Sequence, residues 1–269
     1  MSPQIYSIEG LATGSNDISE GTRRYHIWVR LALHDIKQRY RRSTLGPFWF
    51  VLTNIVFVSV LGVLYSTLFG VNVDYYIPFL TAGIILWQFM SILMNEGANV
   101  MIEASHLIRQ LNCPISIYCH RVALRNFIIL LHNIPTLIVV PLLFGITFHW
   151  HVMFLPIFLG FFYVNGFAIS VVLGVFGTRF RDIQPIMQNL TMVAFFLTPI
   201  MWVPGSLKDR TELIMINPVF HYIEVIRAPL LGEAISPLSV IVVLTFTAAF
   251  SLLAQLVMHK SKFQVPYWL

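Results

Sequence analysis

Glu96 and Glu103 are the acidic residues best placed to form a catalytic pair or a metal-binding cluster, and they stand seven apart with no further carboxylate beside them in the chain. Acid–base catalysis needs two titratable groups held in different environments, and a metal needs three or four donors; neither pattern is present. No stretch has the form G-x-x-x-x-G-K-[ST], H-E-x-x-H or G-x-S-x-G, so neither nucleotide cradle nor hydrolase signature is found. The nine histidines are scattered. Cys113 and Cys119 lie six apart without metal-ligand partners and read as free thiols. What remains is binding chemistry. The guanidinium forks of Arg41, Arg42, Arg109 and Arg179 suit phosphate oxygens, and anionic lipid attracts the same groups. Glu224 and Arg227 are one helical turn apart and are spaced to pair.

The composition says what must position these residues. Of 269 residues, 57% are hydrophobic and 11% charged, and the mean hydropathy is +0.75. A soluble domain carries about 25% charged residues, so this chain has too few to coat a globule of its size. The charges are also unevenly spread. Lys37, Arg39, Arg41 and Arg42 fall within six residues, and the next cation is Arg109. The basic stretch 35–49 breaks at Gly46-Pro47, with Pro47 in a first helical turn where a missing N–H costs nothing. A long apolar run follows. Such a step marks a chain leaving water for lipid. A nucleic-acid binder does not follow its basic patch with a membrane-length apolar run, so no nucleic-acid partner is expected.

The pattern predicts an all-α integral membrane protein with six transmembrane helices. Residues 1–24 read as a cytoplasmic tail without order or an apolar signal segment. Residues 25–45 hold an amphipathic interface helix over 25–42, with Ile27, Leu31, Ile36 and Tyr40 opposite Arg24, Arg30, Lys37, Arg41 and Arg42. The membrane domain covers 46–258, with spans at about 48–69, 77–100, 126–148, 152–178, 183–203 and 238–258. Each is long enough to cross a hydrocarbon core of about 30 Å. A charged connection, 101–125, separates the second and third spans. Residues 204–237 hold two apolar pieces, 214–218 and 220–231, broken at Asn217-Pro218; too short to span, they fit re-entrant helices. A basic tail, 259–269, closes the chain. Within the spans, Asn54, Gln88, Asn133 and Asn165 read as glue between helices, and His132 as bonded to a neighbouring helix. No span pairs an acid with a base at its centre, which argues against an ion-coupled transporter or a charged-ring channel.

Orientation follows from the cations. Seven precede the first span, three lie between the second and third, two between the fourth and fifth, and two in the tail, leaving only Lys208, Arg210 and Arg227 on the other side. That asymmetry places both termini in the cytoplasm, and an even number of spans agrees with it.

The motifs taken together resemble a family. The entry Asp35-Ile36-Lys37-Gln38-Arg39-Tyr40-Arg41-Arg42-Ser43-Thr44-Leu45-Gly46-Pro47-Phe48-Trp49 is similar to the start of the first span in membrane subunits of ABC-2 polysaccharide exporters. So are Arg179-Phe180-Arg181-Asp182-Ile183, Leu197-Thr198-Pro199-Ile200, Asn217-Pro218 and Ile226-Arg227-Ala228-Pro229-Leu230. The likeness covers about residues 25–258 and is strongest to O-antigen permeases, with teichoic-acid and capsule permeases as relatives. It implies a homodimer in the bacterial inner membrane joined to two copies of a separate ATPase, with ATP and magnesium on that ATPase and no cofactor on this chain. It implies a lipid-linked glycan as cargo. It places a coupling helix in about 102–114, with Glu103, His106 and Arg109 against the ATPase, and puts the re-entrant helices at the periplasmic mouth. On the residues alone, two alternatives stay open: a membrane-embedded glycosyl or phosphoglycosyl transferase, and an exporter of the same architecture with another cargo, such as teichoic acid, capsule or a drug.

Overall fold

The computed structural model describes residues 14–46, 48–111, 113–205 and 212–269. Pro47, Lys208 and Arg210, on which two expectations rest, lie outside them, as do residues 1–13. The described residues are helical throughout, joined by turns.

Part of the expected tail is ordered. Gly14–Arg23 forms a helix, α1, before the expected amphipathic helix α2, Tyr25–Arg39. α2 stops short of Arg42, whose φ of +72° places it in the left-handed region and turns the chain toward the first span. That span, α3 (Phe48–Phe69), has the expected bounds. Its buried residues, Asn54, Val58, Gly62 and Ser66, recur every four positions, so one narrow seam meets the protein while the remaining apolar side chains face outward. This is how a helix in lipid looks, because lipid rewards apolar surface all round.

α4 (Val73–Glu103) is the hub. It packs against α3, α6, α7 and α8 and is buried from Tyr76 through Phe89 except at Ile77 and Gln88, which are partly open. Its approach to α7 (Leu155–Arg179) is close enough that a Cβ on Gly177 would fall 2.0 Å from the Ala98 carbonyl oxygen. A short helix, α5 (Ser105–Gln110), follows directly on α4.

α6 runs Ser116–Leu143 and begins ten residues before the expected Asn126, so with α4 and α5 most of the expected 101–125 connection is helix. The cap that sets its start comes from α1, far away in sequence. A 3-10 turn, Trp150–Phe154, leads into α7.

α8, Ile183–Leu197, ends earlier than the expected span at 183–203. Pro199 explains the end, since the residue before a proline is pushed out of the helical region, and Thr198 is extended at φ −94°, ψ 136°. At 15 residues α8 is about 22 Å long. Among the described residues five helices are long and apolar enough to cross a membrane, and α8 is a shorter apolar one. The two expected short pieces are α9 (Glu212–Met215) and α10 (Pro218–Leu230). Asn217 separates them, its side chain accepting the Val219 N–H at 3.0 Å, with Pro218 at the first helical position. α10 is buried from Phe220 to Tyr222 and on through Arg227 to Leu230. The last long helix is α11 (Pro237–Ser261), followed by a single turn, α12 (Val265–Trp268).

Candidate functional site

The α5 end of the helix bundle is held by a charge network that joins three elements. Asp35 on α2 receives Arg121 of α6 through Nε and Nη2, both at 2.6 Å, and Nη1 of Arg125 at 3.0 Å. Arg125 Nη2 reaches Glu96 of α4 at 2.7 Å, and Arg39 returns from α2 to the other Glu96 oxygen at 3.4 Å. Asn126 also donates to Glu96. Glu96 thus has three partners, Arg39, Arg125 and Asn126, none of them a carboxylate. The Asp35 side chain is 9% exposed and Arg125 10%. Two forked guanidiniums on facing carboxylates in that setting fix the rotation of α2 against α4 and α6. A narrow cleft lined by Val100, Glu103, Tyr118, Arg121 and Arg125 runs from the network toward α5.

α5 itself turns Leu107 and Ile108 onto the core and leaves Glu103, His106 and Arg109 exposed around it. α12 rests against both α5 and α7. Arg179, at the end of α7, has its guanidinium 5.2 Å from the Phe180 ring and 5.4 Å from that of Trp268 on α12. Arg41 and Arg42 are exposed in the turn between α2 and α3.

Farther along the bundle the polar residues cross-link helices. Gln88 Nε2 donates to Asn54 Oδ1 at 2.8 Å, and Asn54 Nδ2 to Asn133 Oδ1 at 3.0 Å, joining α4, α3 and α6. Asn165 donates to Thr247 at 2.7 Å, joining α7 to α11. These are the gluing roles expected of them. His132 differs: its ring bonds the Ile128 carbonyl of its own helix at 2.7 Å and meets Phe48 edge-on. Cys113 and Cys119 are free thiols. Among the described residues no three His, Cys, Asp or Glu side chains are grouped to hold a metal.

At the opposite end, Arg227 of α10 is 1% exposed. Its Nη1 donates to the Pro199 carbonyl at 2.7 Å, its Nε and Nη2 to Glu224 Oε2 at 3.1 and 2.7 Å, and its guanidinium carbon stands 4.0 Å over the Phe79 ring. One side chain therefore ties α10 to the break after α8 and to α4. Nearby, Tyr75 donates to Glu233 at 3.3 Å. Burial, and then the Glu224 charge, hold the Glu233 carboxyl above its usual range.

The sequence profile of the ABC-2 type transporter matches residues 28–231. The chain belongs to the ABC-2 type transporter family. Within that family it is similar to the O-antigen export system permease protein RfbA of Myxococcus xanthus, 24% identical over 194 residues, which is 71% of this chain and 75% of the relative. Two proteins of the same name from Klebsiella pneumoniae are 22% and 21% identical over 198 and 200 residues, each comparison spanning 72% of this chain and 76% of the relative. For an ABC-2 permease the match is informative in its extent. It starts inside α2, ends just past α10 and so includes the charge network, α5, the Gln88–Asn54–Asn133 chain and Arg227.

Sequence reasoning singled out the exposed residues of α5, the arginines at helix ends and the Glu224–Arg227 pair, and the structure does not gather them into one place. It missed Asp35, Arg121 and Arg125 as a unit. The one available signal was the four-residue spacing of Arg121 and Arg125, which puts both on one face of a helix.

Proposed function

We propose that this ABC-2 permease moves a lipid-linked polysaccharide, of the O-antigen class, from the cytoplasmic to the periplasmic leaflet of a bacterial inner membrane. The observation that carries the cargo is its likeness, over about three quarters of their length, to permeases named for O-antigen export. Two copies of the chain form the pathway, and two copies of a separate ATPase supply the energy, with ATP and magnesium on that partner. Both termini lie in the cytoplasm, and α8 with the turns after it makes the fifth of six crossings.

α5 is the docking element. Its inward Leu107 and Ile108 fix it to the bundle, while His106 and Arg109, with Glu103 just before it, face outward to a partner. A push on α5 is delivered to α4 and α6, the helices on either side of it in the chain, and the Asp35–Arg125–Glu96 network carries it on to α2. The lipid carrier presents phosphate, and Arg41, Arg42 and Arg179, all exposed at helix ends, are the guanidiniums we assign to phosphate or anionic lipid. Arg227 and Glu224 hold the re-entrant helices at the outer mouth.

The test is reconstitution of the permease with its ATPase in liposomes loaded with lipid-linked glycan. Glycan should reach the far leaflet with ATP and not without it. ATP hydrolysis unaffected by lipid-linked glycan, with no glycan transfer, would refute the cargo.

A further inference from the structure

We propose that α1 is a clasp on the joint between α5 and α6, and that Asp17 is the positioning residue through which a displacement of α5 reaches α6. The inference rests on the exporter reading above, but its decisive contacts do not depend on the cargo.

The first N–H groups of an α-helix have no partner within the helix, and the partial positive charge there favours a carboxylate. α6 has no side-chain cap from the residue that precedes it, Ile115. Asp17 supplies one instead from 98 residues away. Its two carboxylate oxygens accept the Ile115 and Ser116 N–H groups, both at 3.0 Å, and the Ser116 hydroxyl donates back to the Asp17 carbonyl at 2.8 Å. Asp17 is 5% exposed and Ser116 fully buried. A carboxylate withdrawn from water this far is tolerable only because those donors replace its solvent.

A second tier of contacts braces the first. A Cβ at Gly21 would fall 2.1 Å from the Ser116 hydroxyl oxygen, so α1 lies on α6 with no room between them. Trp28 of α2 donates to the Gly21 carbonyl at 3.2 Å. Thr22 bonds the His120 ring at 3.0 Å, and that ring is stacked on Trp28 at 4.8 Å and on Phe167 at 3.8 Å while its other nitrogen meets the Tyr163 hydroxyl at 3.0 Å. α1 also packs on α11. The start of α6 is thereby tied to α1, α2 and α7.

The location gives these contacts their consequence. Ser116 stands six residues beyond Gln110, the end of α5. A connection of that length absorbs a displacement if its far end is loose, and passes it on if that end is fixed. Asp17 fixes it.

The test uses the full permease–ATPase complex in nanodiscs, with two readouts: the ATP-dependent change in hydrogen exchange along α6, and, in liposomes, glycan moved per ATP hydrolysed. Asp17→Ala should leave assembly and basal ATP hydrolysis within twofold of the parent, abolish the exchange change in α6 and lower glycan moved per ATP at least fivefold. Asp17→Asn, which keeps one acceptor oxygen, should fall between. A second arm remains decisive if Asp17→Ala fails to fold. The Cβ positions of residues 21 and 116 would be 3.2 Å apart, a few tenths of an ångström under the separation of about 3.5–4.5 Å that a disulfide spans, so a small outward shift of α1 lets the bond close. Gly21→Cys with Ser116→Cys, in a chain carrying Cys113→Ala and Cys119→Ala, should couple as well oxidised as reduced. Unchanged coupling in Asp17→Ala overturns the proposal, and so does an oxidised pair that stalls and recovers on reduction. If the parent complex moves no glycan yet ATP still alters α6 exchange in an Asp17-dependent way, the cargo assignment fails and the clasp stands.

Discussion

Replacing Arg227 with alanine should unfold the permease more readily than any other single truncation in α10. Arg227 is 1% exposed and its partner Glu224 20% exposed. Removing one member of a buried pair strands the other and costs about 3–5 kcal/mol. Glu224 retains some water, which sets this term at the lower end, about 3 kcal/mol. The guanidinium also lies over Phe79 at 4.0 Å, a desolvated contact that adds about 1 kcal/mol. A loss of about 4 kcal/mol is a shift of roughly a thousandfold in the unfolding equilibrium. Arg227→Met together with Glu224→Gln removes both charges. It leaves mainly the Pro199 carbonyl without its donor, at a cost of about 1–2 kcal/mol. The assay is unfolding in mixed micelles by increasing mole fraction of a denaturing detergent, followed by circular dichroism and tryptophan fluorescence. An Arg227→Ala midpoint within about 1 kcal/mol of the parent, or a double variant as damaged as the single one, would refute the reasoning.

Three further outcomes are expected. Asp35→Asn weakens both arginine forks at once and should lower stability by about 2–4 kcal/mol in the same assay, with Arg121→Ala costing less because Arg125 still holds Asp35. Asn54→Leu breaks two bonds of the Gln88–Asn54–Asn133 chain and should cost about 1–2 kcal/mol, whereas Asn165→Leu should cost about half as much; equal effects would contradict the cross-linking role. The raised Glu233 carboxyl binds its proton more tightly in the fold than in the unfolded chain. Its contribution is therefore complete below the usual value of 4.5 and is lost as pH rises through the higher folded value. A pH series should show stability falling across that window in the parent, and Glu233→Gln should remove that part of the slope.

What the sequence shows depends on how local the cause is. α3 is legible to the residue because its signal is local, a basic turn just before it and then a mostly apolar run without a charge from Phe48 to Phe69. The break at Asn217-Pro218 was equally plain, since the cap and the proline are adjacent. α6 begins earlier than expected because His120, Arg121 and Arg125 make its first ten residues read as a charged connection, and the carboxylate that caps them comes from Asp17. α8 was drawn too long because hydropathy continues past Leu197, while Pro199 stops the helix by sterics that hydropathy does not register. The charge network was invisible for the same reason as the α6 cap. Arg125 and Glu96 are 29 residues apart and Asp35 and Arg121 86 apart, so only the packing of three helices brings them within bonding distance. His132 was assigned to the wrong partner because its own helix offers a carbonyl one turn back, which no pattern in the sequence favours over a neighbour.

The bonds from Asp17 to Ile115 and Ser116 also impose an order on biogenesis. Ribosomes add about 5–20 residues per second, so Asp17 is made roughly 5–20 s before the amides it will hold, 98 residues later in the chain. In that interval α3 and α4 are synthesised and handed to the translocon, while the Asp17 carboxylate stays in water. Its closure on α6 is thus a late checkpoint, reached only when the first two hydrophobic helices have been threaded and the chain has returned to the side where it began.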